Sequence, residues 1–531
     1  MKKALILGLL LINSCIVFSQ AWKTYPSFPS GSLISFPVDE GRHSSEPVEW
    51  WYTSGHLTGN STGNHYSYML TYFYYPRLGL DGFRILTLSN DDTGVFFDET
   101  AAVNYNVLSA DSLNIEANII QGGIESWHNK TDSNGNSLPF EYVISASSDH
   151  GSLNLEYNAL KPPLIIADKG FLNQGNDAYS YYYAQTKNEV SGTISFNGIS
   201  ETVTGTSWID RQYGTFNPSI GEDYEWFSIQ LSNGMDILAY NIFTSNNEIP
   251  DISTYRILSL YVDEETQHTT SDIEIERLEY SFMPDKQMCY SQKWRLTSAL
   301  KNIDIVISTL NSNNEIQLPF RFYEGATTVV GTVNGINVTG VGFAELLHSY
   351  ETPDITIINN ELWDMNKPLT WLNNKPDEGN PLKYDLEYSV DNQQSFSPII
   401  SQLSETSYNW GTAPLSKGDE CWVKVTGYSA DKTLINTDIK KLVVNNDGLI
   451  EETLSPESSN TIYPNPSTGR FTIEGENIKK IEVIEISGKT IYSSSQIKSE
   501  HAIDLSVSPK GVYFVKITTG KGTTATKLIL Y

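Results

Sequence analysis

Between positions 21 and about 350, apolar residues recur at every second position, in short runs that end at Asn-Gly or Asp-x-Gly turns. No stretch of this region keeps an apolar period of 3.6 residues. The clearest example is the hairpin at 226–243, where Phe227 and Ile229 alternate with polar partners and an Asn-Gly pair turns the chain. Because successive side chains of a strand point to opposite faces, this pattern predicts an all-β fold.

An internal repeat is visible in two strands that follow Asn-Gly turns. NGISETVTGTSWID at 197–210 is similar to NGINVTGVGFAE at 334–345, and each strand ends in an acidic residue. The glycines after the two Val-Thr pairs are 135 residues apart. That period suits two tandem antiparallel barrels of lipocalin size, at 21–217 and 218–352. A chance likeness between two hairpins is the alternative.

The first 20 residues have the features of a secretory signal peptide. MKK supplies a positive start, an apolar run follows, and VFSQA supplies a small-residue exit. Cys15 loosely resembles a lipoprotein cleavage site, so lipidation is an alternative. No later stretch approaches the roughly 18 apolar residues that a spanning helix needs. We therefore expect an exported protein without a transmembrane segment.

Charge and cysteine content exclude several classes of partner. The chain of 531 residues has a formal net charge of −28, which argues against binding to nucleic acid phosphates. Cys289 and Cys421 fall in separate predicted domains, so a disulfide framework is not expected. The sequence contains no H-E-x-x-H and no Cys-x-x-Cys motif, so we predict no transition-metal site.

Two further modules are expected after residue 352. Residues 353–444 have the strand spacing of a β-sandwich and resemble a fibronectin type III domain. Residues 445–460 are acidic and rich in Ser and Asn, which is typical of a flexible linker. Residues 461–531 carry YPNPSTG, ISGK and GVYFVK, and resemble the type A C-terminal sorting domain of the Bacteroidetes type IX secretion system. That resemblance implies a small β-sandwich, interaction with the secretion machinery, and a secreted or cell-surface location.

One string that resembles a hydrolase motif is better explained by a turn. GNSTG at 59–63 satisfies G-x-S-x-G, but a nucleophile elbow lies between a strand and a helix. Here the next segment, 66–75, is a predicted strand, so a polar hairpin loop is the better interpretation.

Three clusters of tryptophans and carboxylates are the candidates for chemistry: EWWY at 49–52, TSWIDRQY at 206–213, and EWF at 225–227. Alternation places Trp208 and Asp210 on one face of a strand and Arg211 on the other. An apolar wall beside a carboxyl group raises its pKa and keeps its proton available at neutral pH. The alternative is structural: the tryptophans pack in the core, and the charged residues form ion pairs.

These clusters, with GHL at 55–57, YYY at 181–183, YEG at 323–325 and GFAE at 342–345, resemble a known family. It is the family of hydroxyneurosporene synthase (acyclic carotenoid hydratase), AttH-like proteins and kievitone hydratase, and the resemblance covers roughly residues 35–350. It implies two tandem lipocalin-like barrels with an apolar ligand site between or within them.

In the carotenoid hydratases of this family, the strand that matches 205–214 carries an aspartate thought to protonate an isolated double bond. Asp210 occupies that position, whereas Trp208 replaces a tyrosine of the hydratases. The resemblance therefore implies that Asp210 protonates an alkene, that a cation forms beside aromatic rings, and that water adds without a cofactor.

The leading hypothesis is an exported enzyme that hydrates or cyclises an apolar isoprenoid or polyketide-like ligand, with Asp210 as proton donor. The residues expected to bind the ligand are Trp50, His56, Tyr183, Trp208, Tyr213 and Trp226. Arg211 and Glu225 are expected to tune the pKa of the acid. The alternatives are a non-catalytic binder of a hydrophobic ligand at the cell surface, and a secreted hydrolase.

Overall fold

The chain is built almost entirely of β-strands. The computed structural model describes residues 21–215, 220–318, 320–411, 413–445, 461–475, 477–485, 489–495, 497, 500–519 and 523–530. Within them lie 37 strands and one short 3-10 helix, Val38–Glu40. The all-β prediction is confirmed. The predicted signal peptide and nearly all of the predicted linker fall outside the described residues.

The first twelve strands form one sheet that closes into a barrel. They are β1 (Val48–Gly59), β2 (His65–Arg77), β3 (Leu80–Asn90), β4 (Val95–Leu108), β5 (Asn114–Ile119), β6 (Ile124–Thr131), β7 (Ser137–Ser148), β8 (Gly151–Ala159), β9 (Leu164–Ile165), β10 (Phe171–Gln174), β11 (Ala178–Phe196) and β12 (Ile199–Thr215). The barrel order is β11-β12-β1-β2-β3-β4-β5-β6-β7-β8, and β8 pairs with β11 to close a ring of ten antiparallel strands. Buried side chains such as Leu70, Trp127 and Tyr142 fill its interior.

The next ten strands form a second antiparallel sheet, β13 (Asp223–Leu231), β14 (Asp236–Phe243), β15 (Arg256–Asp263), β16 (Thr266–Thr270), β17 (Glu274–Phe282), β18 (Cys289–Ser298), β19 (Ile303–Thr309), β20 (Glu315–Gln317), β21 (Arg321–Val333) and β22 (Ile336–Leu346). Its order is β16-β15-β14-β13-β22-β21-β19-β18-β17, with β20 paired to β21. Among the described residues no ladder joins the edges β16 and β17. The prediction of a second closed barrel is therefore wrong, and the sheet is a half-barrel.

One edge of the half-barrel is occupied by the module that follows it in sequence. The backbone N–H of Tyr280 in β17 donates to Asp431 Oδ2 over 2.8 Å, instead of to another strand. The Tyr280 hydroxyl donates to Asn380 Oδ1 over 3.0 Å. Leu434 is fully buried beside Tyr280 and Tyr350. Because an unpaired edge needs partners for its backbone groups, these contacts give a physical reason for the open sheet.

The module itself consists of two packed sheets, β23-β25-β28 and β24-β30-β29-β26-β27. Its strands are β23 (Ile355–Ile357), β24 (Leu362–Trp363), β25 (Leu369–Asn373), β26 (Lys383–Ser389), β27 (Ser397–Leu403), β28 (Ser407–Tyr408), β29 (Glu420–Tyr428) and β30 (Ile435–Val444). Trp371, Leu386 and Val423 lie in the core between the sheets. The likeness to fibronectin type III remains a prediction.

The contact between module and half-barrel leads to a stability prediction. Replacing Leu434 by alanine should lower the free energy of unfolding by about 2–5 kcal/mol, because a fully buried leucine leaves a cavity. The matched control is Leu362→Ala in the same module, because Leu362 is 66% exposed and such a change alters stability by about 0.5 kcal/mol or less. Urea unfolding of the full chain measures both, and equal losses would contradict the docking role of Leu434.

The C-terminal residues form a separate compact unit. Its strands are β31 (Thr461–Tyr463), β32 (Arg470–Glu474), β33 (Ile478–Glu485), β34 (Thr490–Ser494), β35 (Glu500–Asp504), β36 (Gly511–Thr519) and β37 (Thr523–Leu530). They pair in two sheets, β31-β32-β35 and β34-β33-β36-β37. Ile473, Val483 and Val515 are fully buried in their shared core.

Candidate functional site

One face of the barrel wall packs against one face of the half-barrel. In β12 the odd-numbered residues, such as Ile209, face the barrel interior, whereas Trp208 faces the half-barrel. In β13 Phe227 belongs to the half-barrel core, whereas Trp226 belongs to the interface. The strand period of two therefore gives each sheet an inner face and an interface face. We call this apolar layer between the sheets the interface.

Asp210 is buried in this interface and bonded to two aromatic side chains. The indole N–H of Trp208 donates to Asp210 Oδ1 over 2.6 Å, and the Tyr182 hydroxyl donates to Asp210 Oδ2. The indole N–H of Trp226 donates to the Tyr182 oxygen over 3.1 Å. Asp210 is only 3% exposed. Within the described parts of the chain, no basic group lies within 4.0 Å of its carboxyl oxygens.

The surroundings of Asp210 keep its proton available at neutral pH. Burial raises the pKa of Asp210 to about 7, the two hydrogen bonds from Tyr182 and Trp208 oppose this shift, and the charge of Glu345 adds to it. A carboxyl group with this pKa can act as a general acid near neutral pH.

Two more carboxyl groups reach the interface from the half-barrel. Glu324 in β21 lies directly opposite Glu345 in β22. The Tyr52 hydroxyl donates to Glu324 Oε1 over 2.9 Å, and the Tyr224 hydroxyl donates to Glu345 Oε1. Burial is the main cause that raises the pKa of both carboxyl groups, and for Glu324 the nearby charge of Glu345 raises it further. Three acids thus meet at one interface.

Half-buried aromatic side chains lie at the rim of the interface. The rings of Trp50 and Phe73 are 6.0 Å apart, and Phe73 stacks on Phe83 at 4.4 Å. Tyr224 is also half-buried against the same apolar cluster. We call Trp50, Phe73, Phe83 and Tyr224 the aromatic rim. An apolar ligand can cover such a surface.

His56 lies beside a small cavity in the same interface. The cavity measures about 10 Å³, close to the space of one water. Trp208 and Phe343 line it. His56 Nε2 is 3.1 Å from the carbonyl oxygen of Gly342. Burial lowers the pKa of His56 to about 4, so the imidazole is neutral at pH 7. A neutral imidazole suits hydrogen bonding better than proton donation.

Four of the predicted site residues lie away from Asp210. Tyr183 and Tyr213 pack with the N-terminal segment in a separate cluster on the inner side of the barrel. Arg211 pairs with Glu49, and Glu225 pairs with Arg277 at 2.7 Å. These charged pairs lie on the strand faces opposite the interface. Neither Arg211 nor Glu225 is among the causes of the Asp210 pKa shift, so their predicted tuning role finds no support in the geometry.

Tyr52, Tyr182, Glu324 and Glu345 are the site residues that the sequence-based prediction missed. The repeat held a usable signal, because Glu345 occupies the position in its repeat that Asp210 occupies in the other. Neither residue ends its strand, since β12 continues to Thr215 and β22 to Leu346. Tyr52 lies opposite Asp210 in the ladder between β1 and β12. That proximity depends on strand pairing and could not be read from one strand alone.

The other sequence motifs have structural settings. GNSTG lies where β1 turns into β2, so it joins two strands. Cys289 and Cys421 are buried and form no disulfide. Over the described residues, no group of three or more His, Cys, Asp and Glu side chains is arranged to hold a metal ion. No helix in the described ranges is long and apolar enough to span a membrane.

A closed barrel packed on a half-barrel, with buried acids between them, defines a two-sheet β-protein with an acid-bearing interface. Residues 28–350 match the model of the AttH-like family, which is more than half of the chain. The chain belongs to the AttH-like family. The match supports the resemblance of residues 35–350 on which the sequence-based prediction rested.

One solved structure shares this fold, and a second was found with a lower score. An AttH protein from Nitrosomonas europaea is 20% identical, with a TM-score of 0.50, over 61% of this chain and 99% of that protein. Kievitone hydratase from Nectria haematococca is 15% identical, with a TM-score of 0.48, over 59% of this chain and 93% of that protein. Likeness at these identities concerns the fold alone. No curated protein sequence matches this chain.

The C-terminal unit determines the destination of the protein. Residues 461–531 match the secretion system C-terminal sorting domain. The protein is therefore secreted by the type IX system to the cell surface or exterior, and this domain interacts with that machinery. The predicted localisation is confirmed.

Proposed function

We propose that this protein is an enzyme that hydrates or cyclises an apolar isoprenoid or polyketide-like ligand, with Asp210 as proton donor. The observation that carries the proposal is a buried carboxyl group, unpaired with any described cation, that is bonded to Trp208 and Tyr182 at an aromatic interface. The shift of its pKa to about 7 keeps a large share of it protonated at neutral pH.

The first steps of the reaction need this acid, aromatic faces and water, and a proton is released at the end. The proton of Asp210 passes to one carbon of an alkene, the π bond breaks, and a cation forms on the other carbon. Trp226 lies near Tyr52, with ring centroids 5.7 Å apart, and such π faces stabilise a nearby cation. Water then adds to the cation, or a second double bond attacks it and closes a ring. The aromatic rim, which includes Trp50, is where the apolar chain of the ligand would lie.

The first test is whether the protein carries and converts such a ligand. The full chain secreted by its own host is analysed by native mass spectrometry and its bound molecules are extracted. A polyene or terpenoid that leaves with the protein, and that is hydrated or cyclised on incubation, is the expected result. The absence of any product from such ligands would contradict the catalytic proposal.

A non-catalytic binder is the second candidate, because the half-buried aromatic rim would also suit binding without reaction. A binder would release its ligand chemically unchanged after prolonged incubation. The enzyme would release a product heavier by one water, or a cyclic isomer of equal mass. The same extraction therefore separates the two candidates.

The pH dependence of turnover gives a further prediction. Asp210 must be protonated to donate, so turnover should be highest below its pKa of about 7 and fall by about tenfold per pH unit above it. Initial rates measured from about pH 5 to about pH 9 would show this decline. Turnover that rises through neutral pH would contradict the role of Asp210 as the acid.

A further inference from the structure

Both proposed reactions also require a group that accepts a proton. When water adds to a cation, one of its protons must leave, and a cyclisation ends with loss of a proton from carbon. Asp210 is the donor in the proposed function, and the following inference rests on that function. The remaining acids of the interface are Glu324 and Glu345.

The two glutamates differ in exposure although they lie opposite each other. Glu324 is 1% exposed, whereas Glu345 is partly exposed at the interface. Two carboxyl groups this close cannot both ionise easily, because like charges repel and burial disfavours charge. The more buried member therefore keeps the proton. This difference favours a neutral Glu324 beside a charged Glu345, while burial raises the pKa of both carboxyl groups.

One buried carboxyl oxygen of this pair has no partner unless the pair holds a proton. Glu324 Oε2 is buried and has no hydrogen-bond partner among the described residues, while Glu324 Oε1 accepts from Tyr52. Buried polar atoms are nearly always bonded, and a proton held between Glu324 and Glu345 satisfies this oxygen. Tyr52 lies opposite Asp210 in the strand ladder. The free oxygen thus belongs to the same interface as the proton donor.

We infer that Glu324 and Glu345 share one proton and that Glu345 is the base that accepts the proton released by the attacking water. The oxygen of the water forms a bond to the cationic carbon, its O–H bond breaks, and the proton goes to the Glu345 carboxylate. In a cyclisation the same carboxylate takes the proton from the carbon next to the final cation. Proton return from Glu345 to Asp210 through solvent completes the cycle.

Isotope labelling distinguishes the role of the proton donor, Asp210, from that of the proton acceptor, Glu345. Squalene, an acyclic isoprenoid with isolated double bonds, serves as the probe in D₂O and in H₂¹⁸O. Glu345→Gln should retain deuterium exchange into the alkene, because Asp210 still protonates it reversibly. Incorporation of ¹⁸O should fall by about 100-fold or more. Asp210→Asn should lose both signals, and Glu279→Gln, at an exposed glutamate of the same sheet, should lose neither.

The outcomes distinguish the two proposals. A wild-type protein that neither exchanges deuterium into squalene nor hydrates it contradicts the proposed function. A wild-type protein that hydrates squalene while Glu345→Gln hydrates it equally well overturns only the base role of Glu345.

A second measurement does not need a substrate. Infrared spectra of the full chain follow the carboxylic acid band as pH rises. The titratable groups that face the pair are Asp210, Tyr52 and Tyr224. Glu324→Gln should remove a band that persists at neutral pH in the wild type. Glu345→Gln should move the loss of that band to lower pH, because the repelling charge is gone. A midpoint that stays in place would overturn the shared proton.

Discussion

Replacing Asp210 by asparagine should lower turnover by about 100- to 10,000-fold, the range in which a general acid contributes to catalysis. Binding of the apolar ligand should be retained. The asparagine oxygen can still accept from the indole N–H of Trp208, and its amide can donate to the Tyr182 oxygen. The substitution therefore removes the transferable proton but keeps a polar side chain in contact with Trp208 and Tyr182. The measurement is turnover of the ligand extracted from the host protein, together with its dissociation constant.

The control for this prediction is Asp251→Asn, since the Asp251 side chain is 89% exposed. Both variants should keep the thermal unfolding temperature of the wild type. Equal turnover in Asp210→Asn and wild type would remove Asp210 from the mechanism. Loss of ligand binding together with turnover would instead give Asp210 a role in holding the ligand.

The sequence predicted the side-chain arrangement of single strands well. Alternation alone placed Trp208 beside Asp210 and Arg211 on the opposite face, and the contacts agree. Through the repeat, the sequence also placed Asp210 and Glu345 at equivalent positions of two strands. These features are local, because they depend only on the period of a strand.

Features that depend on pairing between distant segments could not be predicted. Tyr52 and Glu324 are bonded although 272 residues separate them in the chain. The half-barrel stays open at an edge where Asp431 accepts from Tyr280, 151 residues earlier. Two similar strands in the repeat suggested two similar barrels, but closure depends on what reaches the edge, and the repeat carries no information about that.

Arg211 offers the clearest separation between a structural and a tuning role. It is 1% exposed, pairs with Glu49, and lies 4.0 Å above the ring of Trp51. It also donates to the carbonyl oxygen of Gln212 over 2.7 Å. Removing one member of a buried ion pair leaves the other charged and unsatisfied, which costs about 3–5 kcal/mol.

Arg211→Met should therefore lower the free energy of unfolding by about 3–5 kcal/mol, because Glu49 loses its buried arginine partner and keeps only His43. The double variant Glu49→Leu/Arg211→Met should recover much of this loss, because both charges are gone. Urea unfolding at neutral pH measures both.

If Arg211 only fills space, the double variant will be no more stable than the single one. If Arg211 instead tunes Asp210, the refolded double variant will show a shifted pH profile of turnover. The opposite strand faces lead us to expect the wild-type profile, since the charge of Arg211 is neutralised by Glu49 on the inner side of the barrel wall.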